Sequence, residues 1–269
     1  ASLITGFFDC FGLNLKVNDN EILAIVGNTG SGKSTLVQLI AGLLKADKGK
    51  IIVDNDDIIA KKFNKKILRK KLGIVFQFPE MQLFEQSVEK DIFFGLKQYN
   101  LSYKEKCARA KEVLNLLGLD FEEIRDKSPL ALSGGEKRKV AIAGVMVCKP
   151  KYLIFDEPIA GLDYSSRESF MKVLLKLKEQ GTSIIIISHN LDYLAEYADR
   201  IIVMNNGKIV LDDLPNIVFG KQQMLDELNI GTCSSKNIIN LLKANDIQMP
   251  DNIIKYNDLL NSLITCFGE

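Results

Sequence analysis

The sequence predicts an α/β fold with a helical stretch set into it, and three observations carry that expectation. Strand-sized apolar runs alternate with helical ones over most of the chain, which argues against an all-helical or all-β architecture. The apolar run Ile22–Val26 leads through Gly27-Asn28-Thr29-Gly30-Ser31-Gly32-Lys33-Ser34-Thr35 into a second apolar run, Leu36 to Leu44. From Val88 to Ser133 the strand pattern lapses and the chain reads as helical, before strands return at Tyr152.

Taken in order, Leu13–Val17 alternates apolar with polar, which puts Leu13, Leu15 and Val17 on one side of a strand with an exposed face. Glu21–Val26 is the strand that feeds the glycine loop, and Lys50–Val53 and Gly73–Phe76 read as further short strands. Between those two, the basic run from Lys61 to Lys71 is read as a solvated helix face rather than a surface for lipid headgroups. Ser102 with Glu105 forms a capping box that opens a long helix to about Leu117, ended by Gly118. Tyr152–Asp156, Ser183–Ser188 and Arg200–Met204 are strands; Asn205-Asn206-Gly207 is a hairpin turn from which Lys208–Leu211 returns. After Phe219 no strand pattern follows, and Lys236–Leu242 and Asp258–Ile264 read as short amphipathic helices.

Composition narrows the function classes. With 269 residues, 46% apolar and 26% charged, the chain is long enough for one large globular domain or two. A net charge of +1 points neither to nucleic acid nor to an acidic partner. No apolar run approaches the roughly 18 residues that a membrane span needs, and Ala1 to Thr5 lacks the pattern of a secretion signal, so a soluble cytoplasmic chain is expected. Cys10, Cys107, Cys148, Cys233 and Cys266 are scattered and His189 is the only histidine, which suits free thiols in a reducing cytosol and leaves a zinc site few ligands.

The loop from Gly27 to Ser34 has the spacing that binds phosphate. Glycines at 27, 30 and 32 let the backbone curl until several N–H groups face one anion, and the helix beginning near Lys33 adds the positive end of its dipole. Lys33 can reach the β- and γ-phosphates, and the Ser34 hydroxyl can complete a Mg²⁺ shell. Asp156 and Glu157 end an apolar strand. An Asp there can hold the Mg²⁺, while Glu157 points differently and can polarise an attacking water as general base. Ser133-Gly134-Gly135-Glu136 opens a helix whose N-terminus the glycines leave bare, a second anion site in one chain. Two such sites suggest that two chains sandwich each nucleotide. His189 and Gln77 stand at strand ends, where ligands of open α/β sheets gather. There His189 can contact the γ-phosphate and the attacking water, and Gln77 the metal and the γ-phosphate.

In this order, these elements resemble the nucleotide-binding subunit of an ATP-binding cassette (ABC) transporter, from about Leu13 to Phe219. Gly27 to Thr35 matches Walker A, Gln77 the Q-loop glutamine, and Leu132 to Glu136 the signature motif, with Glu136 where Gln is commoner. Asp156 and Glu157 match Walker B, Ala160-Gly161-Leu162-Asp163 the D-loop, and His189 the switch histidine. Phe76 to Phe84, followed by Ser87 to Gly95, is similar to the A-component ATPases of energy-coupling factor (ECF) transporters, particularly the second of the usual pair.

The resemblance implies a P-loop NTPase core over residues 1–220 with a helical subdomain inserted at about 78–148 and an antiparallel β subdomain. It also implies a helical tail over 221–269 that helps two ATPases associate. ATP and Mg²⁺ are the implied ligands: Gly27 to Thr35 and Gln77 on the nucleotide, Ser34, Gln77 and Asp156 around the metal, and Glu157 and His189 in catalysis. Ser133, Gly134, Gly135 and Glu136, with Asp163, would complete the site of a second ATPase subunit in a head-to-tail homo- or heterodimer. Implied membrane partners are a transmembrane scaffold gripped by the segment Gln77 to Phe84 and a separate substrate-binding membrane protein. Nucleic acid is not a partner, and the expected place is the cytoplasmic face of the cell membrane. The task is ATP-driven uptake of vitamins or metal ions; a conventional ABC importer subunit with another cargo is the alternative. The family also carries a first strand and an aromatic residue that stacks on adenine. Here Phe7, Phe8 or Phe11 takes that place, or the strand is missing.

Overall fold

The computed structural model describes residues 6–8 and 13–268. Ala1 to Thr5, Cys10, Phe11 and the side chains of Phe7 and Phe8 lie outside the described residues, and with them the expectation for adenine stacking. The chain divides into two compact units, Ala1–Ile59 with Ile185–Glu269, and Ala60–Ile184.

The first unit opens with β1 (Gly6–Phe8), which pairs antiparallel with β2 (Leu13–Leu15), so a strand does precede the one aligned with the family's second. Val17 is fully buried although β2 ends at Leu15, so the alternating burial outlasts the ladder. All five residues of β3 (Ile22–Val26) are buried, and its Ile, Leu and Val side chains each contribute about 1.5–3 kcal/mol. Gly32, at φ 101°, starts α1 (Lys33–Ile40), which buries Leu36, Val37 and Ile40. The single strand expected over 50–53 is in fact two. β4 (Gly49–Lys50) pairs with β1, whereas β5 (Ile52–Val53) pairs with β6 (Asp56–Asp57). The cause is local: Asp54 and Asn55 both take positive φ, 48° and 72°, in a two-residue hairpin turn that draws 52–53 away from the β4 ladder.

The second unit begins with the basic helix α2 (Lys65–Lys71), N-capped by Asn64, in which only Leu68 is buried. β7 (Leu72–Val75) pairs parallel with β8 (Tyr152–Asp156). Between them run α3 (Val88–Gly95), α4 (Tyr103–Leu116), α5 (Phe121–Ile124) and α6 (Gly134–Met146). The Ser102–Glu105 capping box is formed at the start of α4, and Gly118 turns the chain beyond its end at φ 72°. After β8 comes α7 (Tyr164–Glu179), then β9 (Ser183–Ile187), buried throughout.

Back in the first unit, α8 (Leu191–Tyr197) leads to β10 (Arg200–Asn205), which pairs parallel with β3 and antiparallel with β11 (Lys208–Asp213). Asn206 and Gly207, at φ 48° and 76°, make the hairpin turn between them. Four helices follow: α9 (Pro215–Gly220), α10 (Gln222–Glu227), α11 (Ser234–Lys243) and α12 (Tyr256–Phe267). The last two share a small core of Ile239, Met249, Ile253 and Leu259. Parallel pairing in both units, with helices between the strands, makes this a mixed α/β fold.

Candidate nucleotide-binding site

In the first unit the phosphate loop joins β3 to α1. A Cβ on Gly27, whose φ is 152°, would lie 2.3 Å from the Met204 carbonyl oxygen and 2.7 Å from Ser31 Oγ, so only glycine fits. The Gly207 N–H donates to the Ser31 carbonyl at 2.9 Å. The loop is thus braced by the β10–β11 hairpin, a role that spacing in the sequence does not reveal. Lys33 is 7% exposed. Its Nζ donates to the carbonyls of Gly27 (2.5 Å) and Asn28 (2.9 Å) and to Ser31 Oγ (3.4 Å). These acceptors draw the buried ammonium back against the curl of the loop, where the phosphates would lie. Ser34 and Thr35 are exposed on the first turn of α1. The Asn28 amide donates to the Leu228 carbonyl at 2.5 Å, which ties the loop to the start of the tail. His189 stands exposed between β9 and α8. The turn that carries it is fixed by Ser188 Oγ, which accepts from the Asn190 N–H (3.1 Å), and by Asn190, which caps α8.

In the second unit Gln77 is exposed, two residues beyond the end of β7. It precedes Phe78, at φ 55°, and the short 3₁₀ turn Pro79–Gln82. Asp156 ends β8, and Glu157, next to it, has φ 51°, a left-handed conformation that costs a side-chain-bearing residue strain. Arg138, on α6, donates to the carbonyls of Glu157, Pro158 and Ala160 in the turn that follows. Asp163 caps α7, accepting from the Ser166 N–H (2.9 Å) and hydroxyl (2.7 Å), and the Ser166 backbone bond holds its carboxyl below the usual range.

At the start of α6, Ser133 is the N-cap and closes a full capping box with Glu136. Glu136 Oε2 accepts from the Ser133 N–H (2.8 Å) and hydroxyl (2.6 Å), and Ser133 Oγ accepts from the Glu136 N–H (3.3 Å). The Ser133 hydroxyl and then its N–H hold the Glu136 carboxyl below its ordinary pKa. A Gln amide oxygen could accept the same two bonds, which accounts for Glu136 standing where Gln is commoner. The Ser-x-x-Glu spacing marks this box in the sequence as plainly as the one at Ser102, a signal that the reading of Ser133 as a cap alone passes over. No atom lies within 4 Å of the space a side chain would take at Gly134 or Gly135, so this first turn of α6, whose N–H groups have no partner within the helix, is not crowded by side chains.

A braced phosphate loop, a strand-end carboxylate pair and a glycine-opened helix are the working parts of an ATP-binding cassette. Residues 10–160 match the ABC transporter family, and the chain belongs to it. Within that family it is 43% identical over 258 residues to the energy-coupling factor transporter ATP-binding protein EcfA2 of Clostridium tetani, covering 96% of this chain and 90% of the relative. It is 44% identical to the protein of the same name from Enterococcus faecalis, covering 87% of this chain and 82% of the other. Among solved structures it is similar to cbiO1 of Clostridium perfringens, described as part of the ABC transporter complex cbiONQ. There the TM-score is 0.72 and the identity 38%, over 86% of this chain and 91% of that one. The cassette MJ0796, solved as a dimer with ADP and Pi, gives a TM-score of 0.67 at 29% identity, over 76% and 89% of the two chains. These relatives place the chain in the energy-coupling factor branch as an ATP-hydrolysing transport subunit.

Proposed function

We propose that this chain powers uptake of vitamins or metal ions as one of two ATPase subunits in an energy-coupling factor importer. The observation that carries the reading is the presence in one chain of two phosphate-directed features, the Gly27–Thr35 cradle and the open N-terminus of α6 at Ser133-Gly134-Gly135. A head-to-tail dimer gives each nucleotide a cradle from one subunit and Ser133 to Glu136, with Asp163, from the other. Residues 1–220 would form the ATPase domain and 221–269 the tail that helps the subunits associate. Among the described residues no helix is long and apolar enough to cross a membrane. The chain then works at the cytoplasmic face, gripping a transmembrane scaffold through the segment from Gln77 to Phe84, while a separate membrane protein binds the cargo. Met81 and Phe84 in that segment are 83% and 64% exposed, which suits a surface that meets an apolar partner.

Within the site, Lys33 neutralises the β- and γ-phosphates and the loop N–H groups orient them. The Ser34 hydroxyl, the Gln77 amide and the Asp156 carboxylate are oxygen donors of the kind Mg²⁺ prefers and would hold it. Bound Mg²⁺ supplies charge neutralisation at the transferred phosphoryl group. Glu157 acts as general base toward water, and His189 contacts the γ-phosphate and that water. Glu157→Gln is expected to bind ATP, accumulate closed dimers and lose turnover; native steady-state hydrolysis by this variant would remove Glu157 from the role of base. Detergent pull-down from membranes tests the branch. Recovery of a scaffold with small vitamin-binding proteins supports the reading, whereas two large permeases with a periplasmic-type binding protein would indicate a conventional importer.

A further inference from the structure

Arg138 lies one turn beyond Ser133 on α6, and only 7% of it is exposed. Its Nη1 donates to the Ala160 carbonyl at 2.8 Å, and its Nη2 to those of Pro158 (2.6 Å) and Glu157 (3.2 Å). Three carbonyls of the turn leaving β8 are therefore held by one guanidinium. That turn contains Glu157 in its left-handed conformation, which persists only where surrounding bonds over-determine it. The same helix that presents the signature residues thus holds the backbone of the proposed base.

A second observation completes the junction. Arg138 Nε and Glu80 Oε2 are both buried, and among the described residues neither finds a hydrogen-bond partner. Glu80 belongs to the Pro79–Gln82 turn, which packs against α6. Burial lowers the Arg138 pKa, and the charge acting against that is the Glu80 carboxylate. A buried donor and a buried acceptor of opposite charge, each left unmade, are costly apart and complementary together. The turn that carries Glu80 directly follows Gln77 and Phe78, so a shift of it against α6 is the movement that would join the two.

We propose that Arg138 is a positioning residue for ATP hydrolysis, holding the Glu157–Ala160 turn through its carbonyls and engaging Glu80 when the Pro79–Gln82 turn shifts. The signature helix and the segment after Gln77 then act on Glu157 through one side chain. Arginine is required because its planar fork offers five donors at once; lysine can serve one or two of the carbonyls and has no counterpart to Nε. The inference rests on Glu157 being the base.

The test measures kcat, ATP KM and melting temperature on the membrane assembly purified through a tag on this chain. Arg138→Gln is expected to lower kcat about tenfold or more with ATP KM within about threefold and a near-native melting temperature. Arg138→Lys is expected to recover part of the loss. Glu80→Gln should lower kcat as well, and the double variant should lose no more than the stronger single, since the two act as a unit. Native turnover by Arg138→Gln or Arg138→Lys overturns the proposal. So does a parallel fall in kcat, ATP affinity and melting temperature, or a multiplicative loss in the double variant. Where Arg138→Gln fails to fold, Arg138→Lys decides. Glu157→Gln separates the two readings: native turnover there removes the base assignment, whereas an inert Glu157→Gln beside fully active Arg138 variants overturns the positioning role alone.

Discussion

Gly27 and Gly30 both stand at positive φ, 152° and 82°, but their surroundings differ. A Cβ at 27 would meet the Met204 backbone, and β10 is held on both edges by β3 and β11, so that carbonyl cannot move aside. At 30 nothing lies within 4 Å. Gly27→Ala is therefore expected to destabilise by about 2–4 kcal/mol and Gly30→Ala by about 1–2 kcal/mol, the cost of backbone strain alone. In thermal unfolding Gly27→Ala should lose several degrees more than Gly30→Ala, and equal losses would show that Met204 is not a rigid neighbour. The glycines were legible from their spacing and Lys33 from its place after them. Met204 and Gly207 were not, because the residues that brace the loop come from a hairpin far along the chain. Arg138 escaped for the same reason: one arginine in a basic stretch, Lys137-Arg138-Lys139, looks like surface charge until its carbonyl partners are seen.

At the scale of the element, the start of α6 is a capping motif and a candidate ligand site at once. Ser133→Ala removes the N-cap and is expected to lower the melting temperature by about 2–4 °C, in line with the usual loss of a helix cap. The box is also acid-sensitive. The Glu136 carboxyl sits below its ordinary pKa when folded, so its stabilisation is present above the unfolded carboxylate pKa and is lost as pH falls through the lowered folded value. Glu136→Gln keeps an acceptor for the Ser133 N–H and hydroxyl but cannot titrate. Acid unfolding curves should therefore show the native chain losing more stability than Glu136→Gln over that range; superimposable curves would show that the box contributes nothing through Glu136. Elements with a local cause, such as both Ser-x-x-Glu boxes and the Asn206-Gly207 turn, were open to reading from the sequence. The break between β4 and β5 also has a local cause in Asp54-Asn55, but the apolar run Ile51-Ile52-Val53 concealed it, since Ile51 is buried whether or not the ladder continues.

For the whole molecule, the tail connects local structure to assembly. α11 and α12 turn Ile239 and Leu259 into a shared core with Met249 and Ile253, so the pair has an inside of its own. Its outer surface is also apolar: Leu241 is 67% exposed and Phe267 60%, with Ile238 and Ile264 beside them in sequence register. The tail is anchored within its unit at two places, by Asn28 to the Leu228 carbonyl and by Asp192, which accepts from the Ser234 N–H (2.6 Å) and hydroxyl (2.9 Å). One anchor reaches the phosphate loop and the other the helix that follows His189. The amphipathic period predicted the two helices, but side-chain-to-backbone ties between distant segments leave no periodic trace, and neither anchor was foreseen. Because Leu241 and Phe267 contribute little to the inner core, the double variant Leu241→Glu, Phe267→Glu should leave the melting temperature unchanged. If the tail's outer face joins two ATPases, the same variant shifts sedimentation of the ATP-bound Glu157→Gln chain from dimer toward monomer, because two buried carboxylates oppose closure. A dimer fraction equal to that of Glu157→Gln alone would place the association surface elsewhere and leave the tail with its anchoring role at Asn28 and Asp192.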